Sequence, residues 1–261
     1  MSSINQANID RFSGFTELYN ASRPVPPGII TKSILMYLDA PPALVVDIGS
    51  GTGLSTMIWK NAARQVIGIE PNEDMRTRAE HNAAGNIIYQ NGFSNQTGLP
   101  YTCADIVTIS QAFHWMDIPG TLDEVYRILK PSGVFAVYDC DWPPAVDWRV
   151  EQAYKALNGK CRSIEAAKET PATRNDKAGY INVFNAYGRF RFVKEIVLHS
   201  VEPCTPGRMI GIALSQGAMQ EALKLDPSIQ DDINAFCDLV HERRGGTFNI
   251  IFSYRLRLAV K

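Results

Sequence analysis

Paired cysteine is what this chain lacks first. Its five cysteines, Cys103, Cys140, Cys161, Cys204 and Cys237, are odd in number, far apart, and form no Cys-x-x-Cys pair. That spacing argues against a disulfide framework or a zinc site and fits a reducing compartment. An excess of either charge is also missing: 26 Lys and Arg stand against 27 Asp and Glu, a net charge of −1. The balance leaves no electrostatic footprint for nucleic acid or an anionic membrane. No apolar run reaches the ~20 residues that cross a bilayer, and the opening MSSINQANIDRFSG has no apolar core for a secretory signal. A cytoplasmic protein without nucleic-acid or membrane partners, monomeric or homodimeric, is expected. Internal repeats and low-complexity segments are absent as well. What remains is an ordinary globular balance, 45% hydrophobic and 20% charged over 261 residues. At that length roughly 70–75% of the unfolded surface can be buried, so the core needs no bound metal.

The stretch from about Ala43 to Cys140 carries the clearest pattern. Ala43–Ile48 is a short apolar run with β-branched residues that ends at a glycine-rich turn. Leu54–Ala63 reads as a helix, Gln65–Ile69 as a strand, and Asn72–His81 as a helix with Asn72 as its N-cap. Asn86–Tyr89, Ala104–Ser110 and Gly133–Asp139 read as further strands, with a helix over Leu122–Leu129 and a turn at Pro131–Gly133. Continuous apolar strands alternating with helices predict an α/β fold with a parallel sheet covered on both faces. Before this core, a proline cluster at Arg23–Pro27 precedes an amphipathic helix over Ile29–Leu38. Beyond it, Pro143–Asn185 reads as helical and polar, Met209–Leu225 and Ser228–His241 as helices, and Arg189–His199 and Thr247–Leu258 as long strands. A strand that ends the chain without a crossover helix pairs most simply antiparallel. The expectation is one domain over 1–261, with a core at about 40–140 and lid or acceptor-side segments at about 1–39, 141–188 and 203–245.

Two local features point to a nucleotide-bearing ligand. In Asp47-Ile48-Gly49-Ser50-Gly51-Thr52-Gly53, glycines at every second position let the backbone turn tightly and let a ligand approach closely. The loop leads toward a helix N-terminus, where free N–H groups bind anions. Asp47 ends the strand, within reach of a ligand amine. Glu70, in Gly68-Ile69-Glu70-Pro71-Asn72, ends the next strand, where an acid accepts hydrogen bonds from ribose hydroxyls. The plainer alternatives are glycines that serve the turn alone and a glutamate that is merely solvated. The dinucleotide pattern G-x-G-x-x-G is not met, because the third glycine comes one residue early and Leu54 takes its place.

The run D-x-G-x-G-x-G with an acid after the next strand resembles the class I methyltransferases that use S-adenosylmethionine. Gly98-Leu99-Pro100 before Ala104–Val107, then Gln111-Ala112-Phe113-His114-Trp115-Met116-Asp117, then Leu129-Lys130-Pro131-Ser132-Gly133 extend the likeness in order over about residues 40–140. The Ala-Phe-His-Trp run, with Tyr19 and Arg23-Pro24 upstream, is similar to the type 11 kind, a group that includes trans-aconitate methyltransferase-like enzymes. The resemblance implies a Rossmann-like, doubly wound, seven-stranded sheet with its last strand antiparallel and helical lid additions. It implies a loop of Gly49, Ser50, Gly51, Thr52 and Gly53 around the methionine part of the cofactor. It sets Asp47 near the amino group, directly or through water, Glu70 with Pro71 at the ribose, and Asn72 and Met75 near the adenine. Gln111 and Ala112 would face the transferred methyl. After the third strand the family often carries an acid for the adenine amine. Here stands Asn91-Gly92-Phe93-Ser94, so Gly92, Phe93, Asn91 or Ser94 would serve instead.

On the acceptor side the residues carry less. His114 is either a general base, given an ordinary pKa of ~6.5, or packing between Phe113 and Trp115. Tyr19 either closes over the cofactor or anchors the N-terminal segment, and Arg23 either holds an anion or does the same. Trp115 is a candidate for the acceptor wall, and Trp142 and Trp148 either line an acceptor pocket or pack in the core under a lid. Arg243-Arg244-Gly245-Gly246 reads as a basic turn that either meets an anion or, more simply, is a solvated loop. The expected activity is S-adenosylmethionine-dependent methyl transfer to a small molecule by in-line displacement, with S-adenosylhomocysteine as product. The competing readings are a non-catalytic S-adenosylmethionine-binding protein, an NAD(P)-dependent oxidoreductase, and a nucleic-acid methyltransferase. The last lacks an Asn-Pro-Pro-Tyr-type motif at the fourth strand's end.

Overall fold

The computed structural model describes residues 6–169 and 171–261; the first five residues of the N-terminal segment and Thr170 of the 141–188 segment lie outside the described residues. Three short helices come first: α1 (Gln6–Asp10), α2 (Thr16–Ser22) and α3 (Gly28–Leu35). The core follows as β1 (Leu44–Ile48), β2 (Gln65–Ile69), α4 (Glu73–His81), β3 (Ile87–Gln90), β4 (Ala104–Ser110), α5 (Ile118–Ile128) and β5 (Leu129–Cys140). The remainder comprises α6 (Trp148–Ala166), α7 (Tyr180–Tyr187), β6 (Phe192–Cys204), α8 (Pro206–Leu214), α9 (Gly217–Leu225), α10 (Ile229–Arg243) and β7 (Phe248–Val260).

Seven strands form one sheet in the order β3-β2-β1-β4-β5-β7-β6. The first five run parallel, and β7 lies antiparallel between β5 and β6. Alternate side chains of each strand feed two apolar layers. Val45, Val66 and Ile106 face one side with Ile30, Ile34 and Trp59, while Val46, Ile67 and Val107 face the other with Leu122, Val125 and Phe184. The order reverses between β1 and β4, so the carboxyl ends of those strands open a crevice at the switch point. The expected Rossmann-like sheet and antiparallel last strand are both present.

Two elements differ from the sequence reading. The helix expected over Leu54–Ala63 is a series of turns around a 3₁₀ segment, Met57–Trp59, in which the Trp59 and Lys60 N–H groups bond three residues back, to Thr56 O and Met57 O. The cause is visible: Ser55 and Thr56 turn their hydroxyls to Asp47 on β1, each at 2.7 Å, which ties this stretch to the sheet. The turn at Pro131–Gly133 lies inside β5, where Ser132 has φ +65° and the pairing with β4 jumps from Ala104↔Leu129 to Ile106↔Val134. The N-cap of α4 is as expected, with Asn72 Oδ1 accepting from the Met75 N–H at 3.0 Å. The polar stretch 143–185 resolves into α6 and α7, with an irregular segment between them. No helix among the described residues is long and apolar enough to cross a membrane.

Candidate active site

The loop after β1 sets the first cavity. Gly49 has φ +69°, and a Cβ there would lie 2.7 Å from Ala112 Cβ and 2.9 Å from Met116 Cε. Gly53 has φ +88°, and its Cβ would meet Tyr89 Oη at 2.3 Å. Glycine is required at both positions by the backbone and by the neighbours. Glu70, at the end of β2, braces the same loop from across the crevice. One carboxylate oxygen accepts from the Gly51 N–H at 2.8 Å, the other from the Asn72 N–H at 2.9 Å. Burial pushes its pKa up to about 7, against the pull of those two N–H donors.

The cavity that results holds about 340 Å³. Its polar corner is Glu70 with Gly49 and Gly51; its apolar faces come from Ile48, Met75, Phe93 and Met116. Pro71, Gly92, Gln111, Ala112, Tyr19 and Trp115, all expected near a ligand, also line it. Ser50 and Thr52 face a smaller space of about 50 Å³ on the other side of the loop. Asp47, Gly53 and Asn72 do not line these cavities. Asp47 is fully buried and accepts hydroxyl hydrogens from Ser55, Thr56 and Thr108, at 2.7, 2.7 and 2.8 Å. The carboxylate is thus engaged by three hydroxyls of the protein itself, on the side of the loop away from the first cavity's lining. Asn72 Nδ2 donates instead to Ile9 O and Ser13 Oγ, which fastens the N-terminal segment over the cavity. Ser94 lines the cavity, but its Oγ accepts from Thr121 Oγ1 at 2.8 Å.

A second cavity, of about 530 Å³, adjoins the first and shares Phe12, Tyr19, Gln111 and Trp115 with it. Gln111 sits at the junction with φ +54°, a left-handed conformation that costs a non-glycine residue of order 1–3 kcal/mol. Its Oε1 accepts from Lys177 Nζ at 3.2 Å, and Lys177 Nζ also donates to Asp139 Oδ1 at 2.7 Å. His114 and Trp142 line this second cavity, as does Arg23, whose guanidinium stacks 4.8 Å from the Tyr19 ring centroid and 4.9 Å from that of Trp142. His114 is buried, and its Nδ1 stands 3.9 Å from Asp139 Oδ1 with no hydrogen-bond partner. Burial holds its pKa well below the usual imidazole value, and the charges of Lys177, Arg174, Arg11 and Arg162 add to the effect.

The sequence reading did not find Arg11, Arg162, Arg174 or Lys177, which also line the second cavity. They come from four separate stretches, and no spacing links them. Trp148, by contrast, is 64% exposed and lies outside the cavities. The basic turn at Arg243 and Arg244 is occupied with Asp147, at 3.5 and 3.7 Å. Among the described residues, no group of three or more His, Cys, Asp or Glu side chains is placed to hold a metal ion.

Comparison with known proteins bears on the first cavity. Residues 46–137 match the family described as the methyltransferase domain. A Dictyostelium discoideum protein described as a methyltransferase is 28% identical over 129 residues, 49% of this chain and 48% of its own length. A Saccharomyces cerevisiae protein described as a probable S-adenosylmethionine-dependent methyltransferase is 29% identical over 164 residues, 56% of each chain. The matched part is thus about half the length of these relatives. A structure from Anaeromyxobacter dehalogenans described as that of a type II methyltransferase superposes with a TM-score of 0.68 at 18% identity, covering 91% of this chain and 97% of that one. The likeness is one of fold, and the narrower trans-aconitate-like grouping is not carried by it. The loop, Glu70 and Gln111 all fall inside the matched segment: residues 46–137 are similar to the methyltransferase domain, and the chain shares its fold with the Anaeromyxobacter dehalogenans structure.

Proposed function

We propose that this chain binds S-adenosylmethionine in the first cavity and directs its methyl group to a carboxylate-bearing small molecule in the second. The observation that carries this reading is the junction: two cavities meet at Gln111 and Trp115, one with an acid and a glycine loop, the other lined by five cationic side chains against two carboxylates. The first cavity suits the cofactor's parts. Glu70 retains lone pairs for two ribose hydroxyls, Ile48, Met75 and Phe93 offer apolar surface to an adenine ring, and Gly49 and Gly51 leave room for the amino-acid end. When bound, S-adenosylmethionine supplies an electrophilic methyl group, which an acceptor lone pair takes while the S–C bonding pair returns to sulfur.

The protein's own part is alignment and exclusion of water. Holding two reactants in line can be worth effective molarities of ~10⁵–10⁸ M. Phe12, Tyr19 and Trp115 would cover the junction, and Gln111 would fix the acceptor's approach. A carboxylate is already ionised at neutral pH and needs no base. That suits a cavity whose one imidazole is buried among cations and is a poor proton acceptor. His114→Gln is therefore expected to keep turnover within about tenfold and to leave the pH profile without a change near 6.5. A general base would show a loss of ~10²–10⁴, and such a loss would move the reading to a hydroxyl or amine acceptor.

The deciding experiment is calorimetric titration with S-adenosylhomocysteine, with NAD and NADP as controls, followed by S-adenosylhomocysteine release from S-adenosylmethionine over a panel of short carboxylic acids. Binding of the first ligand alone, with release on some acids, supports the reading. Binding without turnover on any acceptor would favour a non-catalytic S-adenosylmethionine-binding protein. Binding of NAD or NADP instead would overturn both.

A further inference from the structure

The counter-charges of the second cavity are unevenly placed. Arg11 is 5% exposed, stacks 4.1 Å from the Trp115 ring centroid, and pairs with Glu165 at 2.9 Å. Its Nε is buried and has no hydrogen-bond partner. Gly217 makes room for it, since a Cβ there would lie 2.8 Å from that nitrogen. Asp141, the other carboxylate of the wall, is occupied with Arg255 at 3.2 Å. Lys177 is neutralised by Asp139. Arg162 and Arg174, both exposed to the cavity, have no carboxylate partner among the described residues, and Arg174 lies on the same Trp115 ring at 5.7 Å. Among the described residues, Glu165 is thus the one acid in ion-pair contact with this group of three guanidinium groups, Glu221, Asp139 and Asp176 acting only from farther off, and it lies three residues from Arg162 on α6.

We propose that Arg11, Arg162 and Arg174 form a subsite for a second anionic group of the acceptor, and that Glu165 is an internal carboxylate standing in for that group until the acceptor arrives. The inference rests on the methyl-transfer reading above for what the cavity serves. It adds that the acceptor carries at least two negative charges, one at the methylated end and one on the arginines. A guanidinium buried as deeply as Arg11 is not left without an anion, because an unpaired buried charge is strongly unfavourable. Exchange of Glu165 for a ligand carboxylate or phosphoryl group keeps it paired. The exchange also brings Arg162 and Arg174, which Glu165 alone does not engage, into charge-assisted bonds. A purely structural Arg11–Glu165 strut would give those two arginines no part.

The test is calorimetric titration with glutarate, citrate, butyrate and inorganic phosphate at constant ionic strength, with and without saturating S-adenosylhomocysteine. Glutarate and citrate are expected to bind at least about tenfold tighter than butyrate. R162A and R174A, both exposed positions, should abolish that preference and leave S-adenosylhomocysteine affinity unchanged. E165Q should tighten glutarate by about fivefold or more, since it removes the competitor and leaves the cations. Phosphate displacing citrate would make the second charge a phosphoryl group; failure to displace it would make it a carboxylate. Equal binding of glutarate and butyrate, or E165Q binding glutarate no better than the parent, would overturn the proposal. Loss of S-adenosylhomocysteine binding alone would instead strike the methyl-transfer reading, since the anion preference is measured without it as well.

Discussion

Glu70→Gln will weaken S-adenosylhomocysteine binding by about 100-fold or more. Each hydrogen bond to a charged group contributes ~1.5–3 kcal/mol, and a ribose diol would make two of them. An amide also turns an N–H toward Gly51 N or Asn72 N, which are themselves donors, so the loop loses a brace together with the ligand. The same carboxylate makes the affinity pH-dependent. Burial raises its pKa to about 7, and ribose hydroxyls donate most strongly to the ionised form, which offers two acceptor oxygens. Affinity is therefore expected to level off above pH 7 and to fall by up to about tenfold per unit below it. Stability runs the other way. The folded pKa exceeds the ordinary 4.5, so the contribution is fully present below pH 4.5 and is lost as the pH rises through 7, an amount of ~3 kcal/mol. Titrations from pH 5.5 to 8.5, with denaturant unfolding from pH 4.5 to 7.5, check both slopes against the glutamine variant, which should show neither. A flat affinity profile in the parent would remove Glu70 from the ligand.

The donor side of this site was legible in the sequence because it is local. Strand, glycine loop, strand and capped helix follow within residues 44–81, and their spacing alone brings Gly49, Gly51, Glu70 and Met75 to one crevice. The acceptor side was not legible, because its wall is assembled from segments distant in the chain. Arg11 follows α1, Arg162 lies on α6, and Arg174 and Lys177 lie on the irregular stretch before α7. Each looks like a solvated charge in its own neighbourhood, and only the fold brings them around Trp115. The Leu54–Ala63 stretch failed for a related reason. Its composition suits a helix, but Ser55 and Thr56 answer a buried acid eight and nine residues back, a tertiary demand that overrides local propensity.

That acid carries the second large effect. Asp47→Ala is expected to destabilise the chain by about 3–5 kcal/mol, on the order of 10 °C in Tm. Three hydroxyls, from Ser55, Thr56 and Thr108, would lose their shared acceptor at a site of 0% exposure. Burial raises the Asp47 pKa, and the three hydroxyls oppose the rise, so the carboxylate persists there for the bonds it accepts and not for its charge. Asp47→Asn keeps one carbonyl oxygen and turns an N–H₂ toward hydroxyls that can rotate to accept, so its loss should be the smaller. S-adenosylhomocysteine binding should weaken in both variants in step with stability, because Ser55 and Thr56 tie the end of the Gly49–Gly53 loop to the sheet through this one side chain. A carboxylate that met the ligand's amino group directly would behave differently: Asp47→Asn would then lose affinity with Tm unchanged. Thermal unfolding and calorimetry on the same two variants separate these cases. The buried geometry predicts that stability moves first and binding follows.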